Sequence, residues 1–290
     1  MTARLPEITL GPEIREVIEQ ACEAPDILTR LERSASTSEP IRRPLLEAPP
    51  WRNFAEEVRR EWKSSDHVIV RGAPALAEGA SLFLLSLTLS DRFKTYRDGK
   101  VVKTFRMSPW TKDLSHTTRE GDFHTDLNTE VEPPTTTGIQ CLTPDPGAPQ
   151  FGANRVARTS DLISYLEESG RRNTLRFLLE TQVTMVNDRS RGAWTGRIVE
   201  GSRIRFHPAT IRAAAARSGQ DLTETDEHLA IVHTASLAVS LPFSLEVGDL
   251  FFVSNHRALH YRGECSVSFV DFPLEFQARS IHVLHQMSEP

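Results

Sequence analysis

Cysteine is scarce. The 290 residues contain three, Cys22, Cys141 and Cys265, widely scattered and without a Cys-x-x-Cys pair. That excludes a disulfide framework and a cysteine-built zinc module, and predicts a reduced, cytoplasmic protein. Lysine is scarce too: five of the 34 basic residues, at positions 63, 94, 100, 103 and 112, against 39 acids and a formal charge of −5. With no basic block, nucleic acid is not an expected partner. No apolar run approaches the roughly 20 residues of a membrane span. The opening MTARLPEITLGPEIREV lacks the basic start and apolar stretch of a secretory signal. No Gly-x-Gly-x-x-Gly follows a predicted strand, which disfavours a dinucleotide-binding parallel sheet. A phosphate-binding Gly-x4-Gly-Lys-Ser/Thr loop and a Gly-x-Ser-x-Gly elbow are also missing. His228 and His233 stand five apart and miss the i, i+4 spacing of a His-Glu-x-x-His metalloprotease helix. No repeat of solenoid length is visible.

What is present is an ordinary globular composition, 39% apolar and 25% charged. The length allows one large domain with a substantial core. The first 65 residues read as helices. Ile14, Val17, Ile18 and Cys22 recur at helical spacing, as do Ile27, Leu28 and Leu31, and Phe54, Val58 and Trp62 mark a third helix. Ser34–Pro50 reads as a loop. His67–Arg71 is a buried strand closed by Gly72 and Pro74, and Ala75–Ser90 returns to helix. Then come short β-rich runs: Val101–Phe105, Thr135–Cys141, Thr181–Val186, Arg203–Phe206, Leu250–Val253 and Ile281–Leu284. Helices are predicted at Ser160–Glu168 (capped by Ser160 or Asp161), Arg172–Leu179, Pro208–Arg217 and Thr223–Leu241. No linker divides the chain. The expectation is a single α+β domain over residues 1–290. A helical part, 1–65, packs on a mainly β core, about 66–285, of sandwich or barrel type.

Chemistry concentrates at Gly121-Asp-Phe-His124-Thr-Asp126. On a strand, residues i and i+2 share a face, so His124 and Asp126 stand side by side. Two histidines and one carboxylate on one side of a metal leave open positions opposite, the arrangement of non-haem Fe(II) oxygenases. The candidate for the second histidine is His260. It lies in Gly248-Asp-Leu-Phe-Phe-Val-Ser-Asn-His-Arg-Ala-Leu-His260-Tyr-Arg262, which reads as a buried strand, an Asn-led turn and a second strand. His67, His207, His256, His282 and His285 have no carboxylate at a useful local spacing, and His116 reads as exposed. In the closing strand Arg279, Ile281 and Val283 share one face, which their β-branched members mark as buried. A buried arginine needs an anion, either one of the chain's acids or a ligand carboxylate held as a bidentate pair.

With these segments in this order, the chain resembles the taurine dioxygenase/clavaminate synthase-like family of Fe(II)- and 2-oxoglutarate-dependent oxygenases. The resemblance rests on Val68-Ile-Val-Arg-Gly72, His124-Thr-Asp126, the Pro-rich entry into Thr135–Cys141, the Gly248–Arg262 block and the Arg279 strand. It implies a double-stranded β-helix (jelly-roll) core. It implies iron held by His124, Asp126 and His260, with Arg279 on the far carboxylate of 2-oxoglutarate. It implies consumption of O2 and 2-oxoglutarate, release of succinate and CO2, and hydroxylation of an unactivated C–H bond. The intact Asp126 favours hydroxylation over halogenation, while desaturation and cyclisation use the same ligands. The substrates the family implies are small polar molecules such as amino acids and related carboxylates; homo-oligomer formation stays open. Two departures stand out. Gln150 occupies the place of the family's 2-oxoglutarate-touching Thr, and the span from His260 to Arg279 is long, with Gly263–Pro273 as an enlarged loop. Arg262, on the face of His260, is the rival cosubstrate anchor. Mouth loops are expected at Met107–Gly121, with Trp110 and Ser115, at Asn187–Arg197, with Arg189 and Arg191, and at Gly263–Pro273. A non-catalytic metal-binding jelly roll and a zinc hydrolase are the competing classes.

Overall fold

The computed structural model describes residues 5–24, 26–34, 47–187 and 192–290. Its helices are α1 (Pro12–Cys22), α2 (Ile27–Ser34), α3 (Pro49–Ser65), α4 (Ala80–Ser86), α5 (Thr159–Glu168), α6 (Arg172–Leu179), α7 (Pro208–Ser218) and α8 (Thr223–Ala238). The strands are β1 (Glu7–Thr9), β2 (His67–Arg71), β3 (Lys103–Arg106), β4 (Gly121–His124), β5 (Thr136–Thr143), β6 (Asn154–Arg158), β7 (Gln182–Val186) and β8 (Ala193–Arg197). They continue with β9 (Val199–Glu200), β10 (Arg203–Ile204), β11 (Leu250–Ser254), β12 (Ala258–Arg262), β13 (Val267–Asp271), β14 (Glu275–Ala278) and β15 (Ser280–Gln286).

Two sheets form the core. The major sheet has the order β1-β2-β11-β5-β15-β3 and the minor one β4-β12-β6. All pairs are antiparallel except β1 with β2. Strand alternation sorts the apolar residues into layers. Ile69, Phe251, Val253, Ile139, Ile281 and Val283 of the major sheet meet Val156 and Ala258 of the minor sheet in one buried cluster. The alternate residues Val68, Val70, Leu250, Phe252 and Leu284 face outward and are covered by α1–α4 through Ile18, Leu31, Val58 and Trp62. On the far side, Phe123, Leu259 and Tyr261 are covered by α5–α8 through Leu162, Phe177, Ile211 and Val232. The result is a jelly-roll sandwich with helices on both outer faces, which is the expected architecture.

Several local expectations change. The N-terminal part also holds β1, too short to show a period, paired with β2 in the register Glu7↔Ile69. Residues 35–46 of the expected Ser34–Pro50 loop lie outside the described residues, and its last two prolines start α3. At the first helical positions a proline loses only an N–H that has no partner there. Ala75–Ser90 breaks at Gly79, with φ +107, leaving a 3-10 turn and the shorter α4. No side-chain cap opens α5. Its first residue, Thr159, is instead tied to the Arg257 carbonyl by both N–H and hydroxyl, each at 2.8 Å. The enlarged loop Gly263–Pro273 contains β13 and runs into the turn of the β13–β14 hairpin, and β6 and β8 are further strands beyond the expected ones.

The turn into β11 is where the backbone has least freedom. Gly248 has φ +89, and a Cβ there would lie 1.8 Å from the Ala73 carbonyl oxygen. Next to it Asp249 is buried, accepting from the Gly72 N–H at 2.8 Å, the Glu246 N–H at 3.0 Å and Arg71 Nη1 at 2.7 Å. Gly248→Ala is therefore expected to destabilise the fold by at least about 1–3 kcal/mol, read as a lower urea midpoint. An unchanged midpoint would show that the turn relaxes freely.

Candidate active site

The site lies between the sheets, at the end of β4 and the middle of β12. Antiparallel pairing places His260 directly opposite His124, and their ring centroids are 4.3 Å apart. Asp126 follows His124 by two residues in the turn after β4. One ligand atom from each of His124, Asp126 and His260 falls within 4.8 Å of the others, and this is the one such group found among the described residues. His124 Nε2 is 3.6 Å from Asp126 Oδ1, and His260 Nε2 is 3.5 Å from Oδ2.

The surroundings set each member's state. His124 Nδ1 is 2.6 Å from the Asp122 carbonyl, which only accepts, so Nδ1 carries a proton and the neutral ring keeps its lone pair on Nε2. Burial opposes charge on His124, but Asp126 and the Asp122 carbonyl outweigh it and move its pKa up. Burial also works against ionised Asp126. The surrounding imidazoles of His260, His124 and His285 win, holding it well below the usual carboxylate range. His260 is pushed down to about 3, burial outweighing the pull of Asp126.

Asp126 is held at both ends. Asn255, in the β11–β12 turn, accepts from the Asp126 N–H at 2.6 Å and donates to its carbonyl at 3.0 Å and to that of Pro134 at 2.9 Å. The Oδ2 atom accepts from the Thr137 hydroxyl at 2.7 Å and lies 3.1 Å from His285 Nε2. Asn255, Thr137 and His285 were not singled out in the sequence. The missed signal for His285 is period two: Ile281, Val283 and His285 share a face of β15, and with Arg279 just before the strand all line the cavity. The absence of a local carboxylate partner was the wrong criterion, since the partner comes from residue 126.

The cavity over this cluster measures about 190 Å³. Its apolar wall is Phe105, Leu114, Ile139, Phe251, Ile281 and Val283. Arg279 enters from the junction between β14 and β15 and is 3% exposed. It donates to the Gly152 carbonyl at 2.7 Å and to Asn154 Oδ1 at 2.8 Å. Both acceptors are neutral, and among the described residues no carboxylate forms an ion pair with it. A buried guanidinium in this state fits the carboxylate of a ligand. Arg262 also borders the cavity, but it is spent on protein groups: the carbonyls of Thr117, Arg119 and Gly263 and the Cys265 sulfur. Gln150 is exposed on the turn after the cis Ala148–Pro149 bond and lies outside the cavity lining. The turn reaches Arg279 through Gly152 instead.

Glu120 and Asp122, which precede His124 by four and two residues, also line the cavity, as does Ser115. Tyr261 donates to Glu120 at 2.8 Å. His207 is in the lining too, 4.9 Å centroid to centroid from His124; burial and the neighbouring His124 push its pKa down to about 3. Trp110 is not in the cavity: it is 59% exposed and packs on Phe269 and Phe272 of the β13–β14 hairpin. His116 is half-buried rather than exposed, beside Phe105. Arg189 and Arg191 lie outside the described residues.

Donor set and surroundings fit a divalent iron: two neutral-capable imidazoles, an ionised carboxylate, and a polar partner already on His124 Nδ1. Comparison with known proteins agrees. The model of the taurine catabolism dioxygenase TauD, TfdA family matches residues 44–266. No curated protein sequence matches. Among solved structures, an asparagine oxygenase in complex with Fe(II), 2S,3S-3-hydroxyasparagine and succinate superposes with a TM-score of 0.65 at 16% identity, covering 97% of this chain and 93% of its own. The non-haem iron oxygenase OrfP, in complex with Fe and alpha-ketoglutaric acid, gives 0.62 at 16% identity over 99% and 95%. A variant of OrfP in complex with (3S)-hydroxy-L-Arg gives 0.64 at 17% over 98% and 94%. The chain belongs to the TauD, TfdA dioxygenase family and is an Fe(II)/2-oxoglutarate-dependent dioxygenase.

Proposed function

We propose that this dioxygenase hydroxylates a C–H bond of a small ammonium-bearing substrate, an amino acid or close derivative, with release of succinate and CO2. The observation that carries the reading is one cavity holding both the His124–Asp126–His260 cluster and a buried guanidinium, Arg279, without a carboxylate partner. The hydroxylated amino acids in the asparagine oxygenase and OrfP complexes support the substrate class.

In this reading His124, Asp126 and His260 hold Fe(II), which when bound activates O2 with electrons from 2-oxoglutarate. Arg279 takes the far carboxylate of 2-oxoglutarate in a charge-assisted pair, and Asn154 and the Gly152 carbonyl fix its fork. Ile281 and Val283, in the cavity lining with Arg279, keep the cavity dry and strengthen the pair. Glu120 and Asp122 present negative charge in the same lining, suited to a substrate ammonium. Arg212 lies 3.9 Å from Asp122 and draws only part of that charge, because its Nε is committed to Asp226 at 2.7 Å. The small volume, below the roughly 300–1,000 Å³ of pockets for drug-sized ligands, limits the site to small molecules. His207 offers a neutral imidazole beside the reacting region. The reading invokes no nucleic-acid or membrane partner; among the described residues no helix is long and apolar enough to cross a membrane. The three free thiols support a reducing, cytoplasmic setting.

His124→Ala, Asp126→Ala and His260→Ala are each expected to abolish 2-oxoglutarate-dependent succinate formation. His228→Ala is expected to retain it, because His228 packs on Phe177 and Thr174, outside the cavity lining. Wild-type turnover in any of the first three variants contradicts the metal assignment. Arg279→Gln is expected to raise the KM for 2-oxoglutarate by about 30-fold or more, as loss of a buried charge partner does. An unchanged KM would place the cosubstrate carboxylate elsewhere.

A further inference from the structure

The cavity holds one more imidazole that the reaction as described does not use. His285 is 6% exposed, and its Nε2 lies 3.1 Å from Asp126 Oδ2. Its Nδ1 is hydrogen-bonded to the Tyr96 hydroxyl. An ionised carboxylate only accepts, so His285 Nε2 carries the proton in this pair. In the tautomer with its proton on Nε2, the ring turns its Nδ1 lone pair to Tyr96, whose O–H donates. Burial first, then the carboxylates of Asp126, Glu130 and Asp98, push the phenol pKa up and keep that proton in place. The backbone fixes both ends. The Lys94 N–H donates to the His285 carbonyl at 2.9 Å, and Phe93 bridges to Gln286, so the segment carrying Tyr96 rides on β15. The Tyr96 N–H in turn bonds the Lys100 carbonyl at 2.8 Å, closing the loop. Thr137, from β5, adds its hydroxyl to the same Oδ2 atom at 2.7 Å. The two donors thus converge on Oδ2, while Oδ1 faces His124 Nε2 at 3.6 Å.

We propose that Tyr96 and His285 form a positioning relay which, together with Thr137, reserves Asp126 Oδ2 for the protein and leaves Oδ1 as the oxygen offered to the metal. The proposal rests on the metal-site reading above. His285 acts through Asp126 and is not itself a ligand: its Nε2 is occupied by Oδ2, and it stands outside the three-residue cluster. The relay has two consequences. It prevents the carboxylate from swinging to a two-oxygen mode, which would take a position needed by cosubstrate or O2. It also couples the metal site to the 91–100 segment, remote from the substrate wall.

The test uses the full-length, metal-free protein titrated with Co(II), as a spectroscopic stand-in for Fe(II), in competition with a chromophoric chelator. Affinity and the visible Co(II) band are both read, and circular dichroism and the thermal midpoint report folding. His285→Leu is expected to weaken Co(II) binding by about 10–100-fold, the usual cost of losing such a supporting partner, and to shift the band. His285→Gln keeps an N–H donor for Oδ2 and is expected to recover most of the affinity and the wild-type band. Tyr96→Phe is expected to lose about 2–10-fold, the worth of one hydrogen bond. A folded His285→Leu protein with wild-type affinity and band overturns the proposal. Equal losses in the Leu and Gln variants also overturn it, because they would reduce His285 to packing. If His285→Leu does not fold, Tyr96→Phe decides, and wild-type behaviour there overturns the relay. Wild-type protein that takes up no Co(II) brings down the metal site itself, a result distinguishable from failure of the relay alone.

Discussion

A half-buried negative charge organises the centre of this molecule. Asp126 sits between two sheets, where an isolated carboxylate would cost several kcal/mol. It remains ionised because every direction around it supplies compensation: His124 and His260 on the cavity side, His285 and Thr137 on Oδ2, and Asn255 on its backbone. These partners come from β4, β12, β15, β5 and the β11–β12 turn. The sandwich must close correctly before the charge is satisfied, so the geometry of the site and the closure of the fold are one constraint.

Arg279 is the counterpart in the lining of the same cavity. It is buried, but its partners Gly152 and Asn154 are neutral. One site therefore contains a satisfied anion and an unsatisfied cation. The first suits a metal, which adds positive charge where carboxylate and imidazoles converge. The second suits a dicarboxylate that spans from the metal to the guanidinium. The apolar wall between them excludes water and keeps both interactions strong. The acidic wall of Glu120 and Asp122 then leaves the remaining space for a group of positive charge.

Much of this was legible in the chain. Period two and the Asn-led turn located β11 and β12. The His-x-Asp spacing brought His124 and Asp126 together, although β4 ends at His124 and Asp126 stands in the turn after it, not on the strand. The buried face of Ile281 and Val283 put Arg279 inside. What stayed hidden depends on partners distant in sequence. His285 meets Asp126 across 159 residues, and nothing near residue 285 announces a carboxylate. Asn255 is a turn residue by its neighbours and a backbone clamp only once the turn lies against Asp126. Tyr96 matters because its loop is carried on β15. Gln150 misled in the opposite sense: it aligned with a family position, while in the structure it is exposed and Gly152, not residue 150, reaches the arginine. The β13–β14 hairpin looked like a loop because its strands are short, with Val270 exposed on β13 and Phe272 and Leu274 exposed in the turn.

The central claim is that one cavity chelates iron and a 2-oxo acid together. Anaerobic titration of Fe(II) into metal-free protein, with and without 2-oxoglutarate, tests it most directly through the visible metal-to-ligand charge-transfer band. The account predicts a band that requires both iron and 2-oxoglutarate and saturates at one iron per chain. Iron binding with no band on addition of 2-oxoglutarate would contradict it and leave a metal site without oxygenase chemistry.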